Sequence, residues 1–484
     1  MKKINLKLML MLFIGLVYLV PMNDLIAKER KGYSPVRMSA GVTNNFLQVN
    51  NINAVFRSDG YFNYDKINFL NGEAGMIWPV SAGSRQTAIF TTGIFIGAKV
   101  NGELRLAASM FNTHFTPGNI PVVGEVPGSN VCSDPRLKNY QVNLNDLSLV
   151  NGGSRVKNAG GRDYTIVYDS WASWPVDLGA PYVEVNGIPG YQPEYDGDRP
   201  GIGNSAARPD EIIWCVFMDY TNCTNNNHLA EVSLPGGTPP MGVEIQQTSF
   251  AFLAPGLTNM YFVKWKVINK SNNVWDSTFT AIACDPDLGD ATDDAVGCDS
   301  TQDIAYCYNQ DNVDAIYGAA PPAVGFKYLQ SPIVYTGDPA DTVKLPYGNL
   351  VGYRAIGLSL FTSFENGSNE CLGDPDQAVN AYNFMKYGEG CGHPLVNWTT
   401  GGPSKYKYNG NVCSTPPTGW YDSLPQDKRF LQVSGPFVMN SQDTQIIVVG
   451  AFIERGSSNY QSVCALLESG DRVQKFYNSN FAAT

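Results

Sequence analysis

The densest chemistry in this 484-residue sequence is a run of carboxylates. Between Cys284 and Tyr317 (CDPDLGDATDDAVGCDSTQDIAYCYNQDNVDAIY) stand Asp285, Asp287, Asp290, Asp293, Asp294, Asp299 and Asp303, with Asp311 and Asp314 behind them. Like charges this close repel one another unless a counterion enters the fold. A hard cation suits them: calcium takes about six to eight oxygens in flexible geometry, and Asp-x-Asp spacing offers two carboxylates on one side of an extended loop. Neither His nor a Cys cluster accompanies the run, which disfavours zinc. The terminal Glu of an EF-hand is also missing. The first seven aspartates are therefore the expected ligands of a structural calcium ion, and the competing expectation is a solvated acidic loop. A weaker candidate is Asn186 to Asp198 (NGIPGYQPEYDGD), where Asn186, Glu194, Asp196 and Asp198 offer oxygens but Ile188 stands where another would help. Asp374-Pro-Asp376 reads as a turn.

Catalytic signatures are sparse. None of the three histidines, His114, His228 and His393, lies in HExxH, and no GxSxG elbow occurs. Gly201-Ile-Gly203-Asn-Ser-Ala206 follows Pro200 and a polar loop rather than a strand, so it is no dinucleotide fingerprint. Cys391-Gly-His393 sets a thiol beside an imidazole, yet Cys391 is expected in a disulfide. Glycoside hydrolysis needs only two carboxylates and stacking aromatics. Trp171, Trp174, Trp214, Trp398 and Trp420 offer the latter, although no spacing singles out a carboxylate pair. The leading expectation is a non-enzymatic structural or binding protein. The alternatives are a carbohydrate-binding protein or glycoside hydrolase, and a self-assembling filament or surface-layer subunit.

The elements that must position these residues are mostly strands. Ala88 to Val100 (AIFTTGIFIGAKV) is β-branched and aromatic, Asn101-Gly102 supplies a tight turn, and the chain returns to Met110, which predicts a hairpin over 88–110. Further strands are expected at 164–168, 211–218, 260–269, 277–283, 430–433 and 445–454, separated by long stretches of Gly, Asn, Pro and Asp. The pattern predicts a mainly all-β fold, either one large β-sandwich or two packed together, with long ordered loops. One helix is expected, over 458–477, capped by Ser457 or Ser458. Its stripe is Tyr460, Val463, Leu467, Val473 and Phe476, with Gly470 as a weak point.

Export is read from the N-terminus. Lys2, Lys3 and Lys7 precede an apolar run from Leu8 to Val20 that Pro21 ends, which is the grammar of a signal peptide over residues 1–27. The run falls short of the roughly 20 residues of a membrane-spanning helix. Without residues 1–27 the net charge of -11 becomes -13. An acidic chain of this kind disfavours nucleic acid, whose affinity comes from Lys and Arg on phosphates. The ten Cys, even in number, suit an oxidising compartment. Cys284 with Cys298 and Cys371 with Cys391 are the expected local pairs. The remainder divides into a β-rich region at 28–160 and a sandwich region at 161–484. A secreted or cell-surface location is expected, with extracellular components or glycans as partners, self-association, and no transmembrane segment after cleavage.

Several segments together resemble a family of uncharacterised exported bacterial proteins that often carry a sorting tail for type IX secretion. They are the DPDLG-x4-DD-x2-GCD run from Asp285, YCYN at Tyr306, Tyr317-Gly318, and PPAVG at Pro321. TTGIFIGAKVNGELRLA from Thr91, YDGDRPG at Tyr195, VINKSNNVWDSTF at Val267 and KRFLQVSGPFVMNSQDTQIIVVGAF at Lys428 extend the likeness over nearly the whole chain. The resemblance implies a secreted or surface β protein and brings no catalytic residues. It departs in two places: Thr484 directly follows the expected helix with no Ig-like tail, and Cys284 and Cys307 flank the acidic loop.

Overall fold

The structure is a computed structural model that describes residues 41–482 apart from 70–71, 204, 221–227 and 231–233. The expected signal peptide lies outside the described residues. Thirteen strands build the body: β1 (Thr91–Val100), β2 (Glu103–Ala108), β3 (Tyr140–Asn143), β4 (Glu211–Met218), β5 (Val243–Ala251), β6 (Met260–Asn269), β7 (Trp275–Asp285), β8 (Asp294–Asp299), β9 (Ile304–Asn309), β10 (Ala323–Gln330), β11 (Leu360–Glu365), β12 (Lys428–Met439) and β13 (Thr444–Glu454). Two α-helices accompany them among the described residues, α1 (Ala378–Tyr387) and α2 (Asn459–Asn478).

The strands form an all-β sandwich. A five-stranded sheet runs β11-β12-β7-β1-β2, and a nine-stranded sheet runs β3-β4-β5-β6-β13-β10-β9-β8, with Thr116–Pro117 also paired to β4. Every one of these pairings is antiparallel. The hairpin β1–β2 is the one expected from Asn101-Gly102, and β1 lies beside β7. The boundary expected at 160/161 falls in the turn of a separate hairpin, Asn151–Ala159 with Arg162–Ser170.

Period-2 alternation decides which way each side chain goes. On β6, Tyr261, Val263, Trp265 and Val267 enter the core between the sheets, while Met260 and Phe262 enter a second core on the opposite face. From the facing sheet, Ile94, Ile96 and Ala98 of β1 and Ile282 of β7 meet the first set. Tyr328 Oη donates to the Gln432 carbonyl at 2.8 Å, and Gln432 Nε2 donates to that of Phe326 at 3.3 Å, so the layers are also tied by hydrogen bonds.

Helix α2 covers the outer face of the larger sheet, burying Val463, Leu466, Val473 and Tyr477. Ser458 caps it, accepting from the Gln461 amide at 3.2 Å. Gly470 lets the helix come close to the sheet, because a Cβ there would lie 2.5 Å from Ile304 Cδ1. Helix α1, which the sequence pattern did not reveal, lies on the outer face of the smaller sheet. Gly97 of β1 makes room for it, since a Cβ would sit 2.7 Å from Met385 Cε and 2.8 Å from Tyr382 Cδ2. No helix among the described residues is long and apolar enough to cross a membrane.

Cys371 and Cys391 are disulfide-bonded, as are Cys413 and Cys464. The expected Cys284–Cys298 bond is absent. Both are free and buried, as are Cys215 and Cys307. The chain between them does not close on itself, because β7 carries Cys284 into the smaller sheet and β8 carries Cys298 into the larger. There Cys298 Sγ lies 3.6 Å from the Lys407 carbonyl, and Cys284 Sγ lies 3.9 Å from Thr92 Oγ1.

Candidate acidic centre

Strand β7 ends at Asp285, opposite Thr91 of β1, and its other neighbour β12 pairs Phe430 with Cys284. That register sets Asp285 beside Arg429. After Pro286 the backbone turns through Asp287 in the left-handed region (φ 44°) and Gly289 (φ 73°). Asp tolerates such a conformation better than bulkier residues. Gly289 is required, since a Cβ would lie 2.4 Å from Asp314 Oδ1. The turn is tied down by the Phe90 amide, which donates to the carbonyls of Asp285 and Pro286, and by the Leu288 amide, which donates to Asp294 Oδ2 at 3.1 Å.

Carboxylate oxygens of Asp285, Asp287 and Asp427 all lie within 4.8 Å of one another. Asp285 and Asp287 are buried and Asp427 is half-buried. Arg429, 2% exposed, reaches into the group: Nε stands 3.3 Å from Asp285 Oδ1 and 3.7 Å from Asp374 Oδ1, and Nη1 stands 3.1 Å from Asp427 Oδ1. Burial pulls the guanidinium's pKa down, but Asp285, Asp374, Asp427 and Asp287 more than offset it and hold it above its ordinary value. Arg429 thus meets carboxylates that arrive from three separate segments. Asn366 steadies Asp427 by donating from Nδ2 to Oδ2 at 2.9 Å. Asp294, fully buried at the start of β8, is pushed well up by burial and then by Asp287.

The other expected ligands go elsewhere. Asp290 and Asp293 belong to an adjoining group with Asp314 and Asn309. Asp314 Oδ2 accepts from the Asp290 amide at 2.9 Å, and Asn309 Nδ2 donates to Asp293 Oδ1. Burial, with Asp314, Asp290 and Asp311 nearby, raises Asp293 to about 6 against the pull of Asn309. Asp299 and Asp303 stand at the far end of the β8–β9 hairpin, about 17 Å away at roughly 3.3 Å per residue. Asp299 Oδ1 accepts from Thr301 N at 2.9 Å and Gln302 N at 3.1 Å, a turn formed by its own backbone. Asp303 Oδ1 accepts from Leu358 N at 2.7 Å.

At the weaker candidate, both Asp198 oxygens are taken by backbone amides, of Val185 at 2.9 Å and Gln192 at 3.0 Å. Asn186 Nδ2 donates to the Asp196 carbonyl, Asp196 is buried, and Glu194 is exposed. That loop reads as a self-bonded turn.

Sequence reasoning did not include Asp427, Arg429 or Asp374, the last read only as a turn. The charged triplet Asp427-Lys428-Arg429 at the head of a strand was the available signal. Of the tryptophans considered for sugar stacking, Trp171, Trp174, Trp214 and Trp420 are buried, and Trp398 is exposed. His114 and His228 stack in the interior with ring centroids 4.3 Å apart. No family model matches the sequence, and a search of curated proteins gives no significant match.

Proposed function

We propose that this chain is a secreted or cell-surface, non-enzymatic structural or binding component whose acidic centre is ordered by calcium. The observation that carries the reading is the convergence of Asp285, Asp287 and Asp427, with oxygens within 4.8 Å of one another, beside the Arg429 guanidinium. Carboxylates brought this close together repel one another, and a divalent cation among them would relieve that repulsion. The donors are all carboxylate oxygens on loop and strand-end positions, the hard and adaptable set that calcium accepts. Export is supported by the N-terminal sequence pattern, by two disulfides and by the resemblance to exported bacterial proteins.

The test is thermal unfolding of the intact chain in calcium and in chelator, alongside Asp427→Asn. A ligand that binds only the folded state stabilises it by about 2.7 kcal/mol at a hundred times its Kd. The wild type should melt several degrees higher in calcium, and D427N should lose most of that shift. Superimposable wild-type curves would overturn the calcium reading.

A further inference from the structure

The two described disulfides differ in what stands beside them. Cys413–Cys464 fastens a loop to the second turn of α2, where Cys464 Sγ contacts the Tyr460 carbonyl at 3.1 Å. Cys371–Cys391 brackets α1, both residues are half-buried, and His393 Nδ1 lies 3.5 Å from Cys391 Sγ. The His393 side chain is 75% exposed, and Glu389 Oε2 is 3.8 Å from the same nitrogen. An imidazole this near a sulfur donates to a departing thiolate when protonated, and thiols beside His⁺ leave and attack more readily.

The backbone around the bond is held independently of it. The Gly390 amide donates to the Cys371 carbonyl at 3.0 Å, and the Gly390 carbonyl accepts from Asn383 Nδ2 at 2.9 Å and Asn380 Nδ2 at 3.3 Å, both on α1. On the other side, the Glu365 amide of β11 donates to the Leu372 carbonyl at 2.8 Å. Opening the bond leaves both thiols anchored to the folded scaffold, in position to close again.

We infer that Cys371–Cys391 is a thiol-exchange site, with Cys391 as the leaving sulfur and His393 as the group that receives it. The reactant class is a thiol, from a small molecule or an exposed protein cysteine. Its thiolate attacks Cys371 Sγ and forms a new S–S bond. The Cys371–Cys391 bond breaks, and its electron pair leaves on Cys391 Sγ, to which the imidazolium donates its proton. A second thiolate then attacks the mixed disulfide, releasing the Cys371 thiolate and a disulfide of the reactant. The same steps reversed reoxidise the pair.

The experiment treats the intact folded protein with reduced glutathione near neutral pH, quenches by alkylation, and maps Cys371, Cys391, Cys413 and Cys464 by peptide mass. Cys371–Cys391 should open at least tenfold faster than Cys413–Cys464, with glutathione trapped on Cys371. His393→Ala should slow that opening on the order of fivefold, while His393→Lys, which keeps a cation, stays near wild type. Cys413–Cys464 should be unchanged in both variants. Equal rates for the two bonds, glutathione trapped on Cys391, or an unaffected rate in H393A would each overturn the assignment, as would an opening rate equal to that of global unfolding measured in parallel.

Discussion

The two ends of the β8–β9 hairpin are built from the same residue type and could not be more different in environment. At one end Asp294 is sealed near Asp287, and beyond it Asp285, Asp287, Asp374 and Asp427 gather about the Arg429 guanidinium. At the other, Asp299 is occupied by the amides and hydroxyl of its own turn, and Asp303 by the Leu358 amide. Acidic density along a chain therefore does not locate a cation site. What distinguishes the first end is that its carboxylates arrive from three separate segments and face one another, whereas those at the second face their own backbone.

Arg429→Met should break this contrast most severely. It removes the Arg429 charge while the carboxylates stay in place, and removing one partner of a buried ion pair costs about 3–5 kcal/mol. Chemical denaturation in chelator should show that loss, and calcium should stabilise the variant more than it does the wild type, because the cation then replaces the missing guanidinium. A loss below about 1 kcal/mol would mean that Arg429 is not a counterion on which the centre depends.

How much of this was legible follows from the range of each interaction. The strands β1, β4, β6 and β13 and the helix α2 are written in local periodicity, because alternate residues of both sheets meet a core and α2 turns one stripe onto the larger sheet. The centre is not local. Asp285 and Arg429, 144 positions apart in the sequence, meet only because β7 pairs with β12, a register that no single segment encodes. The same register explains why the bond expected between Cys284 and Cys298 is missing: proximity in sequence is undone when consecutive strands enter different sheets. Cys371 and Cys391 remain neighbours because the segment between them is one short helix with its flanking turns.

An effect of intermediate size separates the ends by pH. Asp293, raised to about 6 by burial and then by its acidic neighbours, binds its proton more tightly folded than unfolded, where about 3.9 is ordinary. The folded state is then the one with more protons, so this group's contribution to stability falls as pH rises from about 4 through about 6. Buried His114, held well below its ordinary value by burial and then by His228, acts in the opposite sense, and stability from it is lost as pH falls below about 6.5. Comparing wild type with Asp293→Asn cancels the histidine. In chelator, the difference in stability should move in favour of D293N between pH 4.5 and pH 7, and a difference independent of pH would remove Asp293 as the titrating group.

The smallest expected effect tests the quiet end. Asp299→Ala deletes the acceptor of Thr301 N at 2.9 Å, Thr301 Oγ1 at 2.6 Å and Gln302 N at 3.1 Å. Those donors sit at an exposed turn, where water replaces most of what the carboxylate supplied, so the cost should be about 0.5–1.5 kcal/mol. The increment that calcium adds should equal that of the wild type, because Asp299 faces its own backbone and lies a full strand away from Asp287. A D299A protein that no longer responded to calcium would join the two ends into a single site, and the distinction between converging and self-bonded carboxylates would fail at the place where it is drawn most sharply.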